Sequence, residues 1–328
     1  MQAELQQLED MKRDQIINSR GVSYTEFKKT LTPKYAMAWR DISLGYLALI
    51  LTGYGAVCMD RYYPSSWMPL TIIVCAMLFG YIHQYIQLFL HEAAHYNLAK
   101  DRKKNDKLAN IFIGSIVGQD IKMYRPIHLL HHRNLGTPDD TEHSYFDALT
   151  LKFIIESLTG IRVIKVLTNR EKTLQARPTP GGDEPKKSTF GMQFILGALI
   201  NGTIVVGAAL LGWWSLAISW SIGFLIVFPF FGSVRQLLEH RSEAAQNSVD
   251  YSKTAHGQTN RMFGTGIIAS TLGAAGFNRH LLHHWEMQLS YTILRDVEEF
   301  LMDTQAAPIL EKSRTGYFRT FAHLFALK

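Results

Sequence analysis

Cysteine and charge are scarce in this sequence. The first argues against a disulfide-linked or iron–sulfur protein, and the second is unusual for a soluble protein. Only two of the 328 residues are cysteines, and both Cys58 and Cys75 fall in apolar runs, which favours packing thiols over a disulfide. No cysteine cluster is available for an iron–sulfur centre. Charged residues make up 19% of the chain, below the roughly 25% usual in soluble proteins. Residues 1–41 are polar, so we expect no signal peptide there.

Long apolar runs are what the sequence has instead. A helix that crosses a bilayer needs about 20 residues, and four runs approach or exceed that length. They cover residues 42–59, 67–90, 191–214 and 215–232. Short connections join the first run to the second and the third to the fourth, which predicts two helical hairpins. The alternative is four buried helices of a soluble bundle, and the near absence of charge inside the runs disfavours it.

Positive charge is distributed unevenly around these runs. Of the 34 lysines and arginines, 33 fall before the first run, between the second and third, or after the fourth, and the exception is Arg61. By the positive-inside rule that side is the cytoplasm, so both termini are expected there. The formal net charge of +6 then follows from topology, and no nucleic-acid partner is expected.

Three further stretches complete the predicted organisation. Two weaker apolar segments, 108–118 and 264–276, are expected to be interfacial or re-entrant. Residues 176–188 are rich in proline, glycine and charge, which is typical of an exposed loop. We therefore divide the chain into a cytoplasmic N-terminal segment, a membrane domain and a cytoplasmic C-terminal tail, at residues 1–41, 42–300 and 301–328.

Histidine clusters carry the candidate chemistry. Eight of the thirteen histidines fall in three short motifs, HEAAH (91–95), HLLHH (128–132) and a second HLLHH (280–284). Helical residues three or four apart share a face, so each motif can turn two or three imidazoles towards one point. HEAAH alone is the signature of zinc proteases. Neutral imidazole suits zinc, copper and iron alike, but eight or nine histidines exceed the needs of one metal ion and suit two.

The three motifs, in this order around apolar hairpins, resemble the histidine boxes of the membrane fatty acid desaturase/hydroxylase superfamily. The resemblance extends from the first apolar run to about residue 300. It implies an all-α integral membrane fold of four transmembrane helices in two hairpins, with a cytoplasmic helical cap holding two iron ions. A further ligand often follows the last span, and RQLLEH (235–240) places a histidine there. The implied ligands are His91, His95, His128, His131, His132, His240, His280, His283 and His284.

Five acidic or basic residues are candidates for orienting these ligands by hydrogen bond or charge. They are Glu92, Asp140, Glu142, Arg235 and Glu239. A solvated i,i+4 pair of Arg235 with Glu239 is an equal alternative, and a helix cap or contact with water is favoured for Asp140 and Glu142.

The remaining histidines and the basic run have simpler interpretations. His83 is expected to pack between helices, with the border of a substrate channel as the alternative. His143, His256 and His323 have no partner spacing and are expected at the surface. The positive charges of residues 100–107 are attributed to lipid head groups and topology.

The chemistry implied by the resemblance needs dioxygen, two electrons and a lipid or acyl substrate. Desaturation and hydroxylation use the same ligands, so the boxes do not choose between them. No His-Pro-Gly-Gly element of a fused cytochrome b5 is found, so the electrons are expected from a separate ferredoxin, rubredoxin or cytochrome b5 type donor. The basic face predicted for the cytoplasm would suit an acidic partner of this kind.

Three alternatives remain at this point. The first is a hydroxylase or oxygenase of a lipid, carotenoid or small metabolite in the same superfamily. The second is an intramembrane metalloprotease built on HEAAH, which would leave six histidines without a purpose. The third is a metal transporter or sensor, although transporters usually place their ligands near the bilayer midplane.

Overall fold

The computed structural model describes residues 3–162, 164–165, 168 and 191–326, and this part of the chain is helical. Within it there are no β-strands, only isolated bridges such as the one between Ile17 and Ser23. The loop expected at 176–188 lies outside the described residues. The α-helices used below are α1 (Glu4–Asp10), α2 (Tyr24–Thr30), α3 (Tyr35–Tyr62), α4 (Met68–Ala94), α5 (Arg102–Ala109), α6 (Ser115–Val117), α7 (Ile121–Asn134), α8 (Leu151–Leu158), α9 (Met192–Leu210), α10 (Trp214–Ile222), α11 (Phe228–His240), α12 (Ile267–Leu272), α13 (His280–Trp285), α14 (Tyr291–Met302), α15 (Ala307–Ser313) and α16 (Tyr317–Phe325).

Four helical segments are long and apolar enough to cross a membrane, as the four apolar runs predicted. They extend beyond the runs, and their bounds are Tyr35–Tyr62, Ser65–Ala94, Met192–Leu210 and Trp214–His240. Their outer faces carry exposed apolar side chains such as Ile50, Ile73 and Leu210, the last 83% exposed. A soluble bundle would bury this stripe, so the exposed faces are those of a membrane protein.

Glycines allow the second and fourth of these segments to approach closely. Gly80 of α4 lies against Val227, and Gly223 lies against Phe79, so that a side chain at either glycine would collide with the opposite helix. Close backbone approach through small residues is the usual way in which membrane helices associate. The contact coincides with a π-helical turn, Gly223–Val227, which joins α10 to α11.

The N-terminal and C-terminal helices share one apolar core with the end of the fourth long helix, including Leu237. Leu8, Tyr24, Trp285 and Leu310 are buried in it, and the Trp285 indole donates a hydrogen bond to the carbonyl of Leu8 at 3.2 Å. The sequence boundary proposed at residue 41 falls inside α3, and the one at residue 300 falls inside α14. The ends of the chain therefore pack around the third histidine motif.

Candidate metal centre

The three histidine motifs and His240 lie at the ends of helices or on short helices that face one another. HEAAH ends α4, the first HLLHH forms the second half of α7, the second HLLHH is most of α13, and His240 is the last residue of α11. Helix α4 packs on both α7 and α11. Residues up to 193 positions apart in sequence, His91 and His284, therefore meet in one interior region.

Nine histidines form two groups, and the potential ligand atoms of each group all lie within 4.8 Å of one another. These nine are the histidines predicted from the sequence. The first group has five members, His91, His95, His128, His132 and His283. The second group has four members, His131, His240, His280 and His284.

Each HLLHH motif divides its histidines between the two groups. His128 and His132 are four residues apart and join the first group, whereas His131 turns to the second. In the other motif His280 and His284 join the second group, whereas His283 turns to the first. Residues four apart share a helix face, which is consistent with the pairing of His128 with His132 and of His280 with His284.

The ring nitrogens within each group converge. The Nε2 atoms of His95 and His128 are 2.9 Å apart, and the same distance separates His283 from His132. In the second group the Nε2 atoms of His280 and His240 are 2.9 Å apart. Convergent nitrogen lone pairs repel one another unless a proton or a cation lies between them.

Burial keeps three of the imidazoles outside the membrane-spanning segments neutral. It lowers the pKa of His132, His283 and His284 well below 6.5, and neighbouring imidazoles lower these values further. Histidine ligates metals in its neutral form. The donor set thus fits a divalent metal, and nitrogen donors of this kind suit iron among others.

Asp140 fixes the orientation of His131. The Nδ1 atom of His131 lies 2.8 Å from Oδ1 of Asp140, and Tyr145 donates a hydrogen bond to the same carboxylate. Burial lowers the pKa of His131, but the charges of Asp140 and Glu142 more than offset this and raise it to about 9. The contact with Asp140 favours the tautomer in which Nδ1 donates its proton to the carboxylate, and Nε2 then faces the second group.

Glu142 connects the first group to α11. One of its oxygens is 3.5 Å from Nδ1 of His128, and the other accepts a hydrogen bond from the amide of Gln236 at 2.8 Å. Asp140 and Glu142 are both buried, which excludes contact with bulk water for these two carboxylates, and Asp140 also accepts a hydrogen bond from the backbone N–H of Glu142 at 2.8 Å.

Arg235 and Glu239 form a buried ion pair beside the second group. Arg235 donates to Glu239, and a Glu239 oxygen lies 3.8 Å from Nε2 of His280. Arg235 also lies over the ring of Phe277 at 3.9 Å. Because Glu239 is only 1% exposed, the alternative of a solvated pair is excluded.

A comparison with family models places this histidine arrangement in a known group of enzymes. The model described as fatty acid desaturase matches residues 65–318, which is most of the chain. The chain belongs to the fatty acid desaturase family. A comparison with curated proteins finds no match.

Family membership confirms the resemblance identified from the three histidine motifs. For a desaturase-family chain with four apolar helices, it indicates an oxidoreductase of the membrane with a lipid as its class of substrate. The same match argues against a peptidase, because the HEAAH histidines share a group with three histidines from the other motifs. Iron is the metal that the family and the histidines together suggest.

Glu92 of this desaturase-family chain contacts a helix N-terminus. Its Oε2 accepts hydrogen bonds from the hydroxyl of Ser290 at 3.3 Å and from the backbone of Tyr291 at 3.2 Å. Ser290 is the N-cap residue of α14. Glu92 therefore anchors the end of α4 to the C-terminal helices next to His91.

Arg125, which the sequence analysis missed, holds the end of α4 from the side of α7. Its guanidinium donates to the carbonyls of Ala93 and Ala94 at 3.0 and 2.9 Å, and it pairs with Asp106. The last carbonyls of a helix have no partner within the helix. Arg125 supplies one here, and thereby fixes the first histidine motif against the second.

Tyr145 and Gln236 were also missed. Gln236 precedes His240 by four residues on the same helix, a spacing that could have revealed it. Tyr145 contacts Asp140 through the fold of the 139–146 segment, and no spacing rule predicts this contact.

The other histidines lie outside both groups. His83 is buried against the rings of Trp220, Phe224 and Phe228, and its Nδ1 donates to the carbonyl of Phe79 at 2.7 Å. This environment is that of a helix-packing residue. His323 is exposed, as expected, whereas His256 is half-buried. The side chain of His143 lies outside the described residues.

Proposed function

We propose that this protein is a membrane-bound non-haem di-iron oxidoreductase that uses dioxygen and two electrons to desaturate a fatty acyl chain or a related lipid. The family match and the two histidine groups support the proposal, and the division into five and four nitrogen donors is the observation that carries it. Desaturation removes two hydrogens from adjacent methylenes. With two electrons and two protons, the dioxygen leaves as two waters.

The proposed ligands are the nine histidines, five for one iron ion and four for the other. Iron bound there would supply the redox chemistry needed to activate dioxygen against an unactivated C–H bond. The protein contributes a buried site from which bulk water is excluded, where burial keeps imidazoles such as those of His132 and His283 neutral. Asp140 fixes the tautomer of His131, and the Glu142 carboxylate, held by Gln236, faces the Nδ1 atom of His128.

Membrane topology is part of the same proposal. Two helical hairpins would place both termini and a helical cap with the histidines on the cytoplasmic side. There, a lipid chain can enter between the helices while its head group stays near the basic segments. A separate donor of the ferredoxin, rubredoxin or cytochrome b5 type would deliver electrons to this face.

Hydroxylation is the second candidate reaction. It shares the ligands and differs in that one oxygen atom is kept in the product as an alcohol. The buried Arg235–Glu239 pair beside His280 favours this candidate, because it places hydrogen-bonding groups near the metal centre. Product analysis by mass spectrometry separates the two reactions, as loss of two mass units or gain of sixteen.

Iron content and product formation together test the proposal. Protein purified from membranes is expected to hold two iron ions per chain and to convert a lipid extract into an alkene-bearing product. His131→Ala and His283→Ala each remove one donor, from the second and first groups respectively, and both are expected to lower the iron content and abolish turnover. His323→Ala is the control, since this histidine is exposed and outside both groups. One zinc ion and no iron would overturn the proposal.

A further inference from the structure

Four buried polar side chains beside the metal centre have atoms without a hydrogen-bond partner in the described part of the chain. They are the two amide atoms of Gln84, the hydroxyl of Tyr317, Nε of Arg235 and Oε1 of Glu239. Gln84 is 1% exposed and Tyr317 is 5% exposed. Buried polar groups are almost always hydrogen-bonded, so a cluster of exceptions calls for a ligand.

The four side chains belong to three helices, α4, α11 and α16, and α11 contacts both of the others. Helix α11, which carries Arg235 and Glu239, packs on both α4 and α16, and α12 packs on α4. The Oε1 atom of Gln84 faces α11 at Gly232, where an added methyl group would be 3.2 Å from it. Gly232 precedes Arg235 by three residues, so Gln84 lies one helical turn from the ion pair.

Tyr317 is the first residue of α16 and approaches α11 from the C-terminal part of the chain. Its ring stacks on Phe263 at 3.8 Å, and its hydroxyl lies against Gly273, which follows α12. Burial raises the pKa of Tyr317 well above 10, and the charge of Glu239 raises it further. The hydroxyl therefore keeps its proton and can donate a hydrogen bond.

Phe277 places this part of α11 next to the metal centre. Its ring packs on His91 at 4.3 Å and on His280 at 5.0 Å between ring centres, and the guanidinium of Arg235 lies over it. Phe277 and Arg235 thus connect the metal centre to the part of α11 that Gln84 faces.

We propose that Gln84 and Tyr317 bind an oxygen atom of the substrate, a hydroxyl or carbonyl group on the same lipid chain as the reacting carbon. The inference rests on the proposed function and narrows its substrate class to oxygen-bearing lipids. A plain methylene chain offers these two residues no partner and would leave their polar atoms unpaired. A substrate hydroxyl can accept a hydrogen bond from the hydroxyl of Tyr317 and donate one to the side-chain carbonyl of Gln84.

Binding of two matched probes tests this inference without turnover. The full chain in lipid nanodiscs is titrated with a long-chain secondary alcohol and with the n-alkane of the same carbon number. Wild type is expected to bind the alcohol about tenfold more tightly, the value of roughly one hydrogen bond. Gln84→Leu and Tyr317→Phe remove hydrogen-bonding atoms at nearly constant shape, and each is expected to reduce the preference towards parity. Tyr63→Phe, at an exposed tyrosine, is the control.

The outcomes separate this inference from the proposed function. Iron content is measured on the same samples and is expected to be unchanged in both variants, because neither residue belongs to a histidine group. Equal affinity of wild type for the two probes would overturn the inference even if two iron ions are found. A variant that weakens both probes equally would also overturn it, since it would show a structural role. Ligand-free Gln84→Leu is expected to melt no lower than wild type, because it loses atoms that have no partner.

Discussion

At the residue scale, adjacent histidines of one HLLHH motif belong to different groups and have different hydrogen-bond partners. His131 and His132 point to different groups, and only His131 is held by a buried carboxylate. Partners of this kind set the tautomer and the orientation of a ligand. The role proposed for Asp140 is therefore open to a direct test.

Asp140→Asn keeps the shape of the side chain and removes its charge. The amide no longer stabilises the Nδ1 proton of His131, so we expect a roughly 10- to 100-fold loss of metal affinity or activity. Metal titration of the purified variant and its turnover measure the two effects. Asp139→Asn, at the exposed neighbouring position, is the matched control. Equal behaviour of the two variants would show that the Asp140 carboxylate does not support the site.

The buried imidazoles predict how the stability of the metal-free protein depends on pH. Folding depresses the pKa of His132, His283 and His284 below 6.5, so the unfolded chain takes up protons first as the pH falls through that value. Each histidine then costs up to about 1.4 kcal/mol of unfolding free energy per pH unit. The melting temperature in detergent is expected to fall between about pH 6.5 and pH 5. His131, with its pKa raised to about 9, stabilises the fold below its folded pKa, and this contribution is already complete at pH 6.5. A melting temperature that stays constant or rises on acidification would contradict the prediction.

At the scale of elements, the contact between α4 and the helix from Trp214 to His240 positions the metal centre. The first histidine motif ends one of these helices and His240 ends the other. Their register depends on Gly80 and Gly223, where the two backbones come together. A change there moves both helix ends.

Gly80→Leu is expected to destabilise the protein by about 1–3 kcal/mol, the usual cost of overpacking a tight contact. The side chain would meet Val227 and the backbone of Phe228, and we also expect reduced iron content because His91 and His240 would move apart. Thermal melting and metal analysis measure these effects. Gly55→Leu in α3 has open space around it and is the control. If both variants melt alike, the close contact does not hold the helices together.

Sequence patterns predicted the positions of the long helices better than the residues at which these helices end. The apolar runs predicted four membrane helices at the right places, because composition alone separates lipid-facing helices from polar segments. They did not predict that the last helix continues as far as His240, since its final turns are polar yet buried against the histidines. The anchors of those ends, Arg125 and Glu92, come from contacts between distant segments.

The whole molecule is expected to have one basic face on the cytoplasmic side. With Cys58 and Cys75 replaced by alanine, a single cysteine at Leu211 or Tyr63 is expected to react with a membrane-impermeant maleimide added outside intact cells. A cysteine at Lys253 is expected to react only after the membrane is permeabilised. All three positions are exposed, so the difference reports sidedness. Labelling of Lys253→Cys from outside would reverse the proposed topology.

The sequence by itself determined the helical membrane character of this protein and its histidine motifs, because these depend on composition and on spacing along one helix, and the resemblance of the motifs to known histidine boxes indicated the family and the nine histidines. Only the tertiary structure decided how the histidines divide into groups of five and four, which carboxylates face them, and that the helices carrying Gln84 and Tyr317 both pack on α11. These features depend on the relative placement of helices far apart in sequence. Side-chain packing between helices sets that placement, and patterns within a short segment of sequence do not predict it.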